Sequence, residues 1–353
     1  MFEKPANPLS ENSFLRSRIL HPRRLKAMKM RSLIETGVRE YFLNLDFLEV
    51  RTPLLVKSPG MEAHIDPFEL SNGSFLPSSP ELSMKKLLVG GLERIFQLGP
   101  AFRDEVFSKH HRPEFTMLEF YRANSSYLAI QNDFEKLVEF LALKIRGKAL
   151  LDFEGKEIDV STPWPRFRIN DLFIKHLGID LSQEKTRDQL FTRAKQIGLY
   201  VDDTDSWDEI YFRIWLEHIE KSLPSERAIL ITHYPASQAA LANIEICEDG
   251  PWAKRFEAYI GGIELCNGFD ELTDAAEQRT RFNQELALRR QLVGTGKAPI
   301  SPIDEEFLLA LEEGMPPSGG VAVGIDRLIM LFADEPDIEY CFWLNPFDPK
   351  VNA

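Results

Sequence analysis

Residues Phe256–Leu272 (FEAYIGGIELCNGFDEL) set the dipeptide Gly261-Gly262 between two β-rich flanks. Few local signals constrain a fold as tightly as a two-residue hairpin turn. The turn makes Ile260 oppose Ile263 and Tyr259 oppose Glu264. Glu257, two residues before Tyr259, then shares that face and sits diagonally from Glu264. A second fold-back precedes it. Arg94–Arg103 alternates, with Ile95, Gln97, Gly99, Ala101 and Arg103 on one face. After a polar loop, Asp104–Pro113, the segment Phe115–Tyr121 runs back with Met117, Glu119 and Tyr121 on a shared face.

The rest of the chain supplies helices. Met30–Leu45 carries Met30, Leu33, Ile34, Val38, Tyr41, Phe42 and Leu45 at helical spacing, and Leu48–Thr52 reads as a strand stopped by Pro53. Tyr127–Ile145 is a second amphipathic helix, closed by Arg146-Gly147. Thr204–Lys221 is a third, with Trp207, Ile210, Tyr211, Ile214, Trp215 and His218 on one side, read as core packing. Helices flanking antiparallel strands place the chain in the α+β class. Met1–Ser13 reads as a loose tail.

Composition narrows the partners. The formal net charge of −13 argues against extended nucleic-acid binding, since phosphate contacts need Lys/Arg surfaces. One basic stretch stands apart: Arg16, Arg18, His21, Arg23, Arg24, Lys26, Lys29 and Arg31. It reads first as a solvated helix face with arginines covering the domain, and alternatively as a docking patch for an acidic or nucleic-acid-like partner. Neither a signal-peptide core nor an apolar run of about 20 residues is present, so a cytoplasmic protein with no membrane contact is expected. The three cysteines, Cys247, Cys266 and Cys341, show no metal spacing and no paired framework, and a structural zinc is not expected.

Glu257 and Glu264 have two readings: solvent-facing acids on an exposed hairpin, or ligands of a hard cation such as Mg²⁺ that offsets their repulsion. Glu271, seven residues past Glu264, lies beyond Asn267-Gly268, where a bulge or turn is expected. With Glu81 and Glu119 it forms a set of acids able to line a pocket selective for an ammonium group. Gly319–Arg327 (GGVAVGIDR) is a glycine-spaced strand leading into an apolar helix; glycines admit a flat ligand, and Arg327 at the junction suits a phosphate.

These segments carry a resemblance. Phe102-Arg103-Asp104-Glu105 followed by Pro113–Tyr121 (PEFTMLEFY) resembles motif 2 of class II aminoacyl-tRNA synthetases in its lysyl form. Gly320–Arg327 is similar to motif 3, and Val38–Pro53 to motif 1, whose proline lies at the dimer interface in that family. Glu264–Glu271, with Asn267-Gly268-Phe269, resembles the lysine-pocket segment. The likeness covers residues 25–335 and implies a class II catalytic domain, a mainly antiparallel sheet flanked by helices, working as a homodimer. The implied domain scheme is an N-terminal extension over 1–24 and a catalytic domain over 25–353, with a helical insertion over about 125–230.

The resemblance also assigns roles. Arg103 and Arg327 are expected to bind the ATP phosphates and stabilise charge during in-line attack, as catalytic residues. Asp104, Glu105, Arg112, Glu264, Leu265 and Gly324 complete the ATP site. Glu257 and Glu264 are expected to hold Mg²⁺. Glu81 is expected to take the substrate's amino group near the reacting end, Glu119, Tyr121 and Glu271 to hold its side-chain ammonium, and Ser79, Pro80 and Asn267 to join them in binding the substrate. Arg112 and Asp104 stand where the family usually has asparagine, and Cys266 reads as a small buried residue.

Lysyl-tRNA synthetases carry an N-terminal OB-fold domain that reads the anticodon. Here about thirty residues precede motif 1, so that domain is expected to be absent and tRNA an improbable partner. His233–Leu241 (HYPASQAAL) is similar instead to a shorter paralogous family, the elongation factor P–(R)-β-lysine ligases, which lysylate a lysine side chain of elongation factor P. Ala322 stands where synthetases usually have glycine, and its methyl could favour a β-amino isomer by about 1–3 kcal/mol. The expected function is therefore ATP-dependent activation of lysine or (R)-β-lysine and transfer to elongation factor P. A truncated synthetase that acylates tRNA or makes a free aminoacyl product is the alternative, and a non-catalytic paralogue ranks last.

Overall fold

The computed structural model describes residues 14–293 and 299–344. The tail expected over Met1–Ser13 lies outside them. The strands are β1 (Leu48–Glu49), β2 (Arg94–Phe102), β3 (Glu114–Ala123), β4 (Leu150–Phe153), β5 (Lys156–Asp159), β6 (Arg166–Arg168), β7 (Ile229–Pro235), β8 (Ile244–Cys247), β9 (Gly250–Ile260), β10 (Ile263–Asp270) and β11 (Ser318–Gly324). The α-helices are α1 (Phe14–Ile19), α2 (Pro22–Leu43), α3 (Glu81–Val89), α4 (Tyr127–Arg146), α5 (Ile169–Leu177), α6 (Arg187–Gln196), α7 (Trp207–Ile214), α8 (Ala275–Val293), α9 (Glu305–Gly314) and α10 (Ile325–Ala333).

Among the described residues, nine strands form one sheet in the order β1-β2-β3-β11-β10-β9-β7-β6, with β8 also pairing β9. Only the outer pairs β1/β2 and β6/β7 are parallel; every pairing between β2 and β7 is antiparallel. The α+β expectation and the mainly antiparallel sheet hold. The expected fold-back of the first two long strands forms as an antiparallel pair, and its register runs from Arg94 opposite Arg122 to Phe102 opposite Glu114.

Strand alternation sorts the sheet into two faces. Phe96, Leu118, Phe120, Val321, Val323, Cys266, Phe256 and Ala258 point to one side, where α2, α4 and α10 bury them in the main core. The other face is covered only towards its ends. Helices α5 and α7 pack Phe173, Tyr211 and Ile214 over Ile229, Ile231 and Tyr259. At the opposite end, α3, α8 and α9 bring Met84, Leu88, Phe282 and Phe307 against Ile95 and Tyr121. The middle of that face stays open.

Several boundaries differ from expectation for visible reasons. Helix α2 starts at Pro22, eight residues early, because its first turns are polar on the outside and anchored by arginines that carry no apolar period. Arg23 pairs with Glu335; Arg24, 5% exposed, meets Glu339 and the Phe342 carbonyl; Arg31 pairs with Asp326. The basic stretch thus serves in part as a seam to the C-terminal segment, with Arg24 buried where a solvated face was expected. A domain boundary at residue 24/25 would cut through the first turn of α2. Leu33, expected on the buried face, is half exposed. Strand β1 ends at Glu49, short of Pro53.

The third helix begins at Trp207 under a Ser206–Glu209 capping box and gives way to a π-helical turn at Trp215. Its aromatics do pack, with Trp207 stacked on Tyr211 and Tyr211 on Phe173. Helix α4 stops where expected, at Gly147 with φ 74°. The stretch 125–230 is less separate than a helical insertion. Helix α4 belongs to the main core, β4–β5 is a two-stranded hairpin, and β6 joins the main sheet. Among the described residues no helix is long and apolar enough to cross a membrane.

Candidate active site

The Gly261-Gly262 turn forms as read, with both glycines at positive φ (62° and 80°), Ile260 opposite Ile263 and Tyr259 opposite Glu264. The bulge does not fall at Asn267-Gly268. It falls at Leu265: the register shifts between Glu264 and Cys266, and Asn267 pairs with Glu257 in regular strand. This displacement matters for the site. Glu264 and Glu271 are an odd number of residues apart and would face opposite ways in a regular strand. One bulged residue restores the parity and puts Glu264, Asn267, Phe269 and Glu271 on the open face.

Across the sheet the side chains then fall into rows. One row runs Glu119, Ala322, Asn267, Glu257; the next runs Tyr121, Gly320, Phe269, Arg255. Gly320 is where the sheet can least accept a side chain. A Cβ there would overlap the Tyr121 ring and crowd Glu271 Oε1, so this glycine admits the protein's own groups. Gly324 is different: nothing lies closer than 3.7 Å to an added Cβ, leaving its face open to a ligand.

The open face is the floor of a cleft of about 660 Å³. Of the expected residues, Ser79, Glu81, Arg103, Glu105, Arg112, Glu264, Leu265, Asn267, Gly324 and Arg327 line it. Glu119, Tyr121 and Glu271 sit just beneath, each at most 2% exposed. Pro80 is buried at the start of α3, and Asp104 is exposed outside the cleft wall.

One end of the cleft is cationic. Arg103 lies over the Phe115 ring at 5.2 Å, and its buried Nε has no hydrogen-bond partner among the described residues. Arg327 is the one residue of α10 that is not buried; it donates to the Glu264 carbonyl (2.8 Å) and to His111 Nε2 (2.7 Å). Arg112, expected to reach a phosphate, is instead tied to Glu339 at 2.6 Å and stacked over Phe342. Glu257, expected as a metal ligand, accepts from Arg255 (2.7 Å) and from Tyr259 (2.9 Å). Burial, then the charge of Glu257, pushes the Glu264 carboxyl up to about 7 against the pull of Arg327. Glu264 therefore fits a cation, and Glu257 retains spare lone pairs for one.

The other end is acidic, and the structure adds a residue that sequence reasoning missed. Lys85, fully buried, lies 2.6 Å from Glu81 and 2.5 Å from Glu271. Burial pulls its ammonium down, but the charges of Glu271 and Glu81 more than reverse this, and its pKa is raised. Glu119 accepts from Ser79 Oγ (2.7 Å) and Tyr121 Oη (2.6 Å). Among the described residues, the buried Glu119 and Glu271 and the half-buried Glu81 thus share one internal cation. Burial and neighbouring acids raise Glu81 and push Glu119 and Glu271 up to about 8. Such a pocket is short of positive charge. Arg255 was missed as well; it bridges Glu257 and Asn267 Oδ1 (3.0 Å). The signals were present: Lys85 is four residues after Glu81 on α3, and Arg255 two before Glu257 on β9.

A pH dependence follows. A carboxyl whose folded pKa is raised holds a proton that the unfolded chain has already lost. Between about pH 4.5 and pH 8 the native state binds more protons, so stability falls as pH rises. The thermal midpoint of the ligand-free protein should decline through that window, and an ammonium ligand should flatten the slope by supplying the missing charge. A midpoint independent of pH over this range would count against the pocket's charge deficit.

The pattern of tRNA synthetases class II (D, K and N) matches residues 10–344. The chain belongs to this family. It is a family of ATP-dependent ligases that make aminoacyl-adenylates, and its catalytic domain accounts for the antiparallel sheet and flanking helices seen here. Among its relatives are the lysine–tRNA ligases of Pelotomaculum thermopropionicum, 35% identical over 327 residues, and of Syntrophomonas wolfei, 35% identical over 325. Each alignment covers 91% of this chain, and 63% and 64% of the respective relative. The enzyme from Moorella thermoacetica is 34% identical, over 94% of this chain and 67% of that protein. The chain thus spans a little under two thirds of the length of the first two.

Proposed function

We propose that this class II family member activates lysine or (R)-β-lysine with ATP and transfers the aminoacyl group to a lysine side chain of elongation factor P. The observation that carries the activation half is the cleft itself: arginines at one end, a cation-deficient acid pocket at the other. A diamino acid bound with its ammonium groups among Glu81, Glu119 and Glu271 presents its carboxylate towards Arg103 and Arg327. A carboxylate oxygen attacks the α-phosphorus of ATP, the bond to the bridging oxygen breaks, and pyrophosphate leaves. The acceptor amine then attacks the adenylate carbonyl, AMP leaves, and the amine gives up a proton. Arg103 and Arg327 neutralise the phosphate charge, and the fixed cleft supplies positioning. When bound, Mg²⁺ held by Glu264, with Glu257 in support, adds charge neutralisation at the phosphates.

The acceptor half is supported by the likeness of His233–Leu241 to the elongation factor P ligases and by Ala322. Both Ala236–Leu241 and Ala322 line the cleft. The test is the intact mass of elongation factor P after incubation with enzyme, Mg²⁺-ATP and each lysine isomer. A lysyl mass increment is expected, absent with Arg103→Ala. Inert elongation factor P together with acylated tRNA(Lys) would instead establish a tRNA-charging enzyme, the reading that identity to lysine–tRNA ligases favours. A cytoplasmic location belongs to the same proposal.

A homodimer completes it. Leu33, Leu43, Leu48, Leu54 and Leu55 are all at least 40% exposed, around the segment that resembles motif 1. Exposed leucines recurring along this stretch of the chain support an interface there. Leu33→Asp combined with Leu48→Asp should convert a dimeric mass to a monomeric one in light scattering. An unchanged mass would rule this face out.

A further inference from the structure

A second group of chemistry-bearing side chains lies away from the cleft lining. Among the described residues, His233, Glu245 and Cys247 converge so that one donor atom from each lies within 4.8 Å of the others. Glu245 and Cys247 are two apart on β8 and share a face. His233 comes from β7, twelve residues before Glu245, where the ladder to β9 slips between Thr232 and Tyr234. The slip puts His233 at φ 59°, a left-handed conformation that a non-glycine residue adopts only at a cost. A bulge of this kind re-aims a side chain. Here it aims an imidazole at a carboxylate and a thiol.

The hydrogen bonds around His233 are compatible with an available Nε2. With Thr232 Oγ1 donating to the Phe167 carbonyl (3.4 Å), the hydroxyl accepts from His233 Nδ1–H at 2.9 Å. Nε2 then carries the lone pair, and it faces Glu245 Oε2 at 3.7 Å. A lone pair beside a carboxylate calls for a cation between them. A hydroxyl accepting from the far ring nitrogen is the outer-shell arrangement that metal-ligating histidines use. The neighbouring Arg168 does not oppose this, because Asp249 pairs with it at 3.0 Å.

We propose that His233 Nε2, Glu245 and Cys247 form a zinc site. Imidazole, carboxylate and thiolate are the donor set of that ion, and short side-chain rotations bring them to its bonds of about 2.0–2.3 Å. The Cys247 thiol loses its proton on binding, and water fills the fourth position. Two charges on the protein, Glu245 and the Cys247 thiolate, then match those on the metal. Sequence spacing hid the site because only one ligand is a cysteine and the third comes from another strand.

Its place in the chain gives it a use. The segment between β7 and β8 contributes Ala236, Ser237, Gln238, Ala239, Ala240 and Leu241 to the cleft wall. Zinc bound by His233 before this segment and by Glu245 and Cys247 after it would close the segment into a loop and hold that wall.

The experiment uses the full chain, kept reduced with a phosphine and stripped of metal. Zinc titrated against a chromophoric chelator should bind once, with a dissociation constant below a micromolar. Cobalt in its place should give a thiolate-to-cobalt charge-transfer band. Cys266 and Cys341 are buried (2% and 0% exposed) and cannot supply it. Cys247→Ser should abolish the band and weaken zinc binding at least 100-fold, whereas Thr232→Val should weaken it roughly 10–100-fold. Zinc should also slow hydrogen exchange over residues 236–244. A cobalt complex without the thiolate band, or zinc binding unchanged in Cys247→Ser, overturns the site; that result leaves the activation chemistry untouched.

Discussion

Arg103→Ala lowers kcat/KM for lysine-dependent ATP–pyrophosphate exchange by roughly 10³-fold, the scale seen when a cation is removed from a developing phosphate charge. The thermal midpoint should barely move. The reason lies in how the side chain is held. Its Nε is buried without a hydrogen-bond partner among the described residues, and its guanidinium rests over Phe115. No ion pair among the described residues is broken when it goes. Arg327 makes a poorer probe, because it also holds the Glu264 carbonyl and His111. Exchange within tenfold of the parent would remove Arg103 from the chemistry.

Lys85→Met should destabilise the ligand-free protein by about 3–5 kcal/mol, the usual result of deleting one partner of a buried pair. Lys85 is fully buried between Glu81 and Glu271, and its loss leaves both carboxyls beside Glu119 with no internal cation. Their only recourse is protonation, so the loss should be larger at pH 8 than at pH 6. Adding Glu271→Gln to Lys85→Met should recover much of the stability, since a neutral amide needs no counter-charge. Chemical denaturation of the two variants gives the comparison. A cost under about 1 kcal/mol for Lys85→Met would mean that the triad is not holding charge as described.

Local signals were legible in the chain and non-local ones were not. The Gly261-Gly262 turn and the β2/β3 fold-back could be read because turn chemistry and alternation are written over a few residues. The Leu265 bulge could not, since no residue there marks it, while Asn267-Gly268 offers familiar turn chemistry and stays in regular strand. Gly268 is glycine for another reason: a Cβ would overlap the Phe256 ring on the core side. Lys85 beside Lys86 looks like a solvated helix face, and only the packing of α3 shows which of the two is buried. Arg112 was read by position in a motif, whereas its partner, Glu339, comes from a distant segment.

The extra residue at Leu265 makes strand length in β10 a stricter requirement than strand composition. Removing that one residue would leave the reading frame of the gene intact yet shift the frame of the sheet. Every group beyond it would exchange sides. Asn267, Phe269 and Glu271 would turn into the apolar layer beneath α4 and α10, and Cys266 and Gly268 would come up in their place. A single deletion there would invert half the pocket, while several exchanges of apolar side chain in the same strand would leave its orientation alone.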